Sequence, residues 1–142
     1  MSFLLDTNVV SELRKRPGVA DPGVLKWAQQ HPARDLYISV VTVLEIELGV
    51  ARIERRDRKQ AAVLRDWMHS GVLAGFAGRI LPVDVEVALR AAHLHVPDPR
   101  PERDAFIAAT ADVHGLTVIT RNIKDFLSTG VPASDPWASP GQ

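Results

Sequence analysis

Four acidic residues stand apart from the other Asp and Glu residues of this 142-residue chain by where they sit. Asp6 closes the apolar run Phe3-Leu4-Leu5, so a charge follows directly on a buried-strand pattern. Glu45 lies within a helix predicted from Val40 to Arg56, where Thr42, Glu45, Gly49 and Arg52 recur on one face. Asp104 falls in the first turn of a helix containing Arg103-Asp104-Ala105-Phe106-Ile107-Ala108-Ala109-Thr110-Ala111, which is apolar nearly all round and therefore predicted to be buried. Asp125 follows the last apolar run, in Thr120-Arg121-Asn122-Ile123-Lys124-Asp125-Phe126. Asn122 is nearer that strand end and could reach a metal shell through its side-chain oxygen. Each acid also has a plain structural reading. Asp6 could cap a helix, and Glu45 could be solvated as Glu47 and Glu54 are expected to be. Asp104 could be stabilised by the helix dipole, and Asp125 could be a turn residue.

Together these acids point to metal chemistry. They come from separate elements that a parallel sheet would bring to one edge. Two like charges about 4 Å apart cost about 4 kcal/mol at an effective dielectric of 20, and an interior carboxylate is expensive unless paired or bound to metal. A divalent cation relieves both costs. An all-oxygen donor set favours a hard ion, Mg²⁺ or Mn²⁺. The chemistry that fits is phosphodiester hydrolysis, with the ion polarising the phosphoryl group and activating water. A carboxylate not committed to the ion could orient or deprotonate that water.

The elements that must position these acids alternate between short apolar strands and longer helices. Strands are predicted at Phe3–Leu5, Leu36–Ile38, Arg79–Val83 and Leu116–Ile119. The first helix, capped near Thr7 or Asn8, buries Val9, Val10 and Leu13 and ends by Gly18. Others are predicted from Val24 to Gln30, from Val40 to Arg56 behind Ser39, from Arg58 to His69 behind Asp57, and from Asp84 to about His95. A last one runs from Glu102 to His114, with Pro101 at its start and Gly115 as its stop. Val43, Ile46, Val50 and Ile53 form the apolar stripe of the Glu45 helix. Gly49 costs that helix about 1 kcal/mol relative to alanine, so close packing or room for a substrate should offset it. The tail from about 128 carries three prolines and is expected to wrap the surface, anchored by Trp137. This alternation predicts one α/β domain over residues 1–142 with a mainly parallel sheet. Ligands in such sheets sit beyond the carboxyl ends of the strands, where Asp6 and Thr120 fall.

Composition narrows the function. Lys+Arg and Asp+Glu both number 17, so nucleic acid is not drawn by bulk charge, although a local basic rim around an acidic site is compatible with this balance. Neutrality also suits a protein whose solubility is helped by a partner. The chain has no cysteine, which excludes disulfides, zinc–thiolate sites and a thiol nucleophile. An early charge at Asp6 argues against a signal peptide, and no run is long enough to span a membrane, so a cytoplasmic location is expected. His93 and His95 point to different faces of one helix, and His69 and His114 sit near helix ends, so no histidine ligand set is expected. Arg52, Arg55, Arg56 and Arg58 read as a solvated face or a phosphate rail, and Trp27 and Trp67 as core or interface.

The four motifs in sequence resemble PIN-domain toxins of the VapC type, including the FitB-like branch. They are Leu4-Leu5-Asp6-Thr7-Asn8, the run from Ser39 to Glu45 with Gly49, the run from Arg103 to Ala111, and the run from Val118 to Phe126. The resemblance covers nearly the whole chain. It implies a three-layer α/β/α sandwich and a Mg²⁺- or Mn²⁺-dependent endoribonuclease acting on RNA, often tRNA or rRNA. It also implies a homodimer and a small VapB-type antitoxin that blocks the site. By this resemblance Asp6 and Asp104 are the principal metal-binding acids, Glu45 the third acid, and Asp125 the fourth. PIN domains often carry an acid where Asn122 stands. The toxin branch commonly shows asparagine there, with an aspartate three residues later.

Two other functions can be drawn from the same residues. A receiver-type phosphoacceptor would use Asp84, Thr120 and Lys124, but it needs a second acid beside Asp6, where Thr7 and Asn8 stand. A catalytically silent PIN-like binding domain would have no need of Asp6, Glu45 and Asp104 together.

Overall fold

Strands buried on both faces need apolar residues at every position, and the short apolar runs of this chain supply them. A computed structural model describes residues 1–137. Five strands form one sheet: β1 (Phe3–Leu5), β2 (Leu36–Ser39), β3 (Ile80–Leu81), β4 (Thr117–Ile119) and β5 (Ala133–Ser134). Their order is β3-β2-β1-β4-β5 and every neighbouring pair is parallel. The fifth strand corrects the expectation of a tail that only wraps the surface. The Val118 amide donates to the Pro132 carbonyl (2.9 Å) and the Thr120 amide to the Ser134 carbonyl (3.0 Å). A two-residue strand carries no readable alternation, and Pro132 beside it argues against a strand on composition alone. At a sheet edge the missing N–H costs nothing. The last part of the predicted tail, residues 138–142, lies outside the described residues.

The helices are α1 (Thr7–Arg14), α2 (Pro22–Gln29), α3 (Val40–Glu54), α4 (Arg58–Trp67), α5 (Val85–Leu94), α6 (Glu102–His114) and α7 (Lys124–Leu127). Ser39, Asp57 and Asp84 cap α3, α4 and α5 as expected, their side chains accepting from the amides of Val41, Gln60 and Val87. Gly115 ends α6 in the left-handed region (φ 67°). The cap of α1 is a correction. Asp6 itself holds the Thr7 amide, and neither Thr7 nor Asn8 is the cap. Beyond Trp67, α4 passes into a π-helical stretch, Met68–Leu73, rather than stopping at His69.

Helices cover both faces of the sheet, giving the three-layer sandwich. On one face Phe3, Leu5, Leu36, Ile38 and Ile119 pack with Val9 and Val10 of α1, Val24 of α2 and Ile46 of α3. On the other, Leu4 and Val118 pack with Ile107, Ala108 and Ala111 of α6 and with Phe126 of α7. The alternation of Phe3, Leu4 and Leu5 between the two clusters is the period-two geometry of a strand. The chain first steps outward from β1 to β2 to β3, then crosses back to β4 on the far side of β1. The reversal leaves a crevice at the carboxyl ends of β1 and β4, the switch point where open parallel sheets bind ligands.

Gly49 sits inside α3, and a Cβ built there would meet nothing within 4 Å. Close packing therefore does not explain it. Gly49 instead lines a surface groove of about 200 Å³ that begins at Thr7 and Glu45 and runs past Ile53 to Trp67. Gly49→Ala should stabilise the fold by about 0.5–1 kcal/mol through helix propensity. Urea unfolding checks this, and a variant less stable than the parent would show that the position is packed after all.

Candidate active site

The Asp6 carboxylate sits at the switch point and is 7% exposed. Its Oδ1 accepts the Thr7 amide at 2.8 Å, and its Oδ2 accepts the Thr120 hydroxyl at 2.8 Å and the Asn8 side-chain amide at 3.5 Å. Backbone pairing brings these groups together, because the Asp6 amide donates to the Ile119 carbonyl (2.9 Å) as β1 and β4 end side by side. Thr120 is fully buried and its oxygen also accepts the Asn122 amide at 3.0 Å. Asn8 closes the ring by accepting the Arg121 amide at 3.3 Å. Asp6 is thus both a helix cap and a carboxylate locked at the sheet edge. Burial raises its pKa above the ordinary carboxylate value, hydrogen bonds from Thr120 and Thr7 oppose that rise, and the charges of Glu45 and Asp125 add to it.

Glu45 reaches the same site from α3. Its Oε1 accepts the Thr7 hydroxyl at 2.8 Å, and the Thr7 and Thr42 hydroxyls stand 3.0 Å apart. A carboxylate can only accept, so the Thr7 proton is directed to Glu45 and Thr42 donates to Thr7. Thr42 is fully buried, which anchors this partly buried relay to the core. The other oxygen of Glu45, Oε2, lies 3.7 Å from Arg103 Nη1. Glu47 and Glu54, on the same helix, behave as the solvated residues they were expected to be and pair with Arg65.

Asp104 is half-buried in the first turn of α6. Its pKa is pushed up to about 6, chiefly by burial and then by the charges of Asp125, Asp6 and Glu45. Asp125 is exposed in the first turn of α7. Asn122 is exposed as well, and its backbone carbonyl accepts the Asp125 amide at 3.0 Å. The sequence-derived acids therefore share one electrostatic environment, each entering the balance of Asp6 or Asp104. Glu12 is a useful contrast. It is also covered (8% exposed), yet its pKa is lowered, first by its hydrogen bond with Lys15 and then by the Asp21 amide. Glu12 has a cation beside it, and Asp6 and Asp104 have other acids.

Such a donor set fits a hard divalent cation. Among the described residues no three Asp, Glu or His side chains are close enough to form a ready-made ligand cluster. Mg²⁺ needs no such cluster, since it keeps several waters and takes one or two carboxylates directly. The phosphoacceptor reading fails on geometry. Asp84 is an exposed cap on Val87. β3 and β4 are separated by β2 and β1, about 14 Å at ordinary strand spacing. Thr7, Asn8, Thr42 and Arg103 were not singled out from sequence for these contacts. The one available signal was Thr42, which shares a helix face with Glu45.

The chain matches the PIN domain over residues 3–130. It is 39% identical to Toxin FitB of Neisseria gonorrhoeae over 141 residues, covering 95% of this chain and 98% of that protein. It is 34% identical to VapC ribonuclease Y4jK of Sinorhizobium fredii over 140 residues, covering 95% and 97%. Among solved structures, the crystal structure of FitAcB from Neisseria gonorrhoeae superposes with a TM-score of 0.86 at 37% identity, over 96% of this chain and 99% of that one.

The raised pKa of Asp104 has a measurable cost. The folded protein keeps a proton on Asp104 up to about pH 6, whereas the unfolded chain releases it near 3.9. Between these values the folded state binds the extra proton, so stability falls as pH rises through that window and stays lowered above it. Asp104→Asn should therefore raise stability in chelator at pH 7.5 by about 1–2 kcal/mol, after allowance for solvent screening of a half-buried group. The gain should vanish near pH 3.5. Thermal melts across this range test it, and a variant no more stable than its parent at pH 7.5 would refute the raised pKa of Asp104.

Proposed function

This chain belongs to the PIN-domain family, in its VapC-type, FitB-like toxin branch, and on that premise we propose that it is the toxin half of a toxin–antitoxin pair and a divalent-metal-dependent endoribonuclease. The observation that carries this reading is the uncompensated acid at the switch point: Asp6, nearly buried, with the charges of Glu45 and Asp125 acting on it, and Asp104, raised by burial and then by the charges of Asp125, Asp6 and Glu45. Asp6 and Asp104 are the residues that would hold Mg²⁺ or Mn²⁺. When bound, such an ion supplies Lewis-acid polarisation of a phosphodiester and lowers the pKa of an attacking water.

The protein's own groups do the rest. Thr120 and the Thr7 amide fix the direction of both Asp6 oxygens, so the carboxylate cannot swing toward solvent. The Thr42–Thr7 relay fixes one oxygen of Glu45 and leaves the other, 3.7 Å from Arg103, to orient a water or accept its proton. Asp125, on the rim, adds negative charge that favours a cation and can bear on the same water. Exposed Arg14, Arg103, Arg121 and Lys124 supply the local basic rim that an RNA strand requires and that a net charge of zero conceals.

The substrate we assign is RNA, with tRNA or rRNA the expected classes. The partner is a small antitoxin of the VapB type, in keeping with relatives solved as toxin–antitoxin complexes. The assembly is a homodimer, and the location is the cytoplasm. Among the described residues no helix is long and apolar enough to cross a membrane.

Purified protein incubated with mixed RNA should cleave it in Mg²⁺ or Mn²⁺ and not in EDTA. Asp6→Asn and Asp104→Asn should each reduce the rate at least about 100-fold while remaining folded, and Thr120→Val, which removes the hydroxyl that orients Asp6 and accepts the Asn122 amide, about 10-fold. Mn²⁺ should raise the melting temperature of the parent and leave that of Asp104→Asn unchanged. Full cleavage by Asp104→Asn would overturn the assignment of the site.

A further inference from the structure

Arg103 precedes Asp104 in the first turn of α6, is 51% exposed, and makes the sole ion pair of the Asp6, Glu45, Asp104 and Asp125 group among the described residues, with Glu45 at 3.7 Å. The other arginines near the site make contacts outside the acidic group, with Arg14 and Arg121 still exposed on the rim. The Arg121 guanidinium lies 5.1 Å from the centre of the Trp137 ring, and that of Arg14 lies 5.7 Å from Trp67. Arg100 donates to the Leu94 carbonyl and the Ser128 hydroxyl.

The Arg103–Glu45 pair is too long for a hydrogen bond, Arg103 is exposed and Glu45 partly so, and the pair therefore holds Arg103 only weakly. Glu45 does not depend on it for orientation, because Thr7 already fixes its other oxygen at 2.8 Å. A pair like this is poised to exchange. A divalent cation entering the site would compete with the guanidinium for the charge on Glu45 and repel it. A guanidinium released at the mouth of the site presents a planar donor fork that matches phosphate.

We propose that Arg103 is a phosphate-binding residue that neutralises Glu45 in the metal-free protein and transfers to the RNA backbone beside the scissile bond when the metal is bound. This rests on the ribonuclease reading above and adds a residue that the acidic motifs do not contain. It requires opposite effects of one substitution on two ligands. Removing Arg103 makes the metal-free site more negative and its cation affinity higher. The same change removes a phosphate contact.

The first arm of the test is calorimetric titration of Arg103→Ala with Mn²⁺ in low-salt buffer without RNA. Affinity should tighten by about three- to tenfold, on the scale expected for loss of one nearby positive charge, and Arg103→Lys should stay near the parent. The second arm is fluorescence anisotropy of the Mn²⁺-loaded proteins on a single-stranded phosphorothioate RNA that resists cleavage. Arg103→Ala should bind about five- to tenfold more weakly, with a log–log salt dependence shallower by about 0.7, the value for one phosphate contact on a single strand. Arg103→Lys should keep the slope. Unchanged or weaker Mn²⁺ binding in Arg103→Ala overturns the proposal, as does an RNA affinity and slope equal to the parent's. A parent that binds no RNA overturns the ribonuclease reading and this assignment with it. A parent that binds and cleaves RNA, with Arg103→Ala indistinguishable from it, overturns this assignment alone.

Discussion

Asp6 is 7% exposed, accepts hydrogen bonds from the Thr7 amide and the Thr120 hydroxyl, and makes no ion pair among the described residues. Neutral donors fix the direction of a carboxylate without cancelling its charge. Desolvation therefore falls on the ionised form, and the neighbouring acids deepen the deficit. Removing the charge by protonation is one way out, and binding a cation is the other. The first dominates in acid and the second in the presence of metal, so the folded protein carries an unspent electrostatic demand at neutral pH. Glu12 lies nearer the surface and carries none, since Lys15 and the Asp21 amide meet its charge directly.

The position of that demand is a consequence of topology. Had the sheet run in sequence order, β4 would not lie beside β1, and Thr120 could not reach Asp6. The return to the far side of β1 places the ends of β1 and β4 together, and the Asp6 amide bonded to the Ile119 carbonyl fixes their level to within one residue. α6 crosses the sheet on the face that packs Leu4 and Val118, so its first turn, with Arg103 and Asp104, arrives at the same edge. The small buried residues Ala105, Ala108, Ala109 and Ala111 let this helix lie close. Stability is thus concentrated in apolar layers while the acidic edge works against it. That division is common where a site must bind something the bare protein cannot satisfy.

Much of this was legible in the sequence. Apolar runs marked β1, β2 and β4, and Ser39, Asp57 and Asp84 announced three helix starts through their side-chain chemistry. An acid closing a wholly apolar strand and another inside a nearly all-apolar helix carry physical cost, and cost is what made Asp6 and Asp104 readable. Glu45 was readable from its helix face. Asp125 is exposed, costs little in its own position, and offered only its place after the last strand. β5 was invisible because two residues beside a proline show no periodicity, and its pairing depends on a neighbour far away in sequence. The hydroxyl relay from Thr42 through Thr7 to Glu45 was equally hidden. Its members are 35 and 38 residues apart from Thr7, and a threonine in a helix costs too little to attract notice.

Charge is arranged radially, and this reconciles a neutral chain with a nucleic-acid substrate. Carboxylates sit inside, from nearly buried Asp6 through half-buried Asp104 to Glu45 at 28% exposure. Guanidinium and ammonium groups of Arg14, Arg103, Arg121 and Lys124 stand outside them in solvent. A polyanion approaching such a surface meets the cations first, within a screening length of about 8 Å at physiological salt, and the inner acids repel it unless their charge is taken up. The same inner acids attract small cations and are shielded from large ones by their burial. On the proposed reading, binding a metal and binding the strand would be coupled in sign, each making the other more favourable. The sum of charges over the chain, which is zero, says nothing about a gradient that reverses over one layer of side chains.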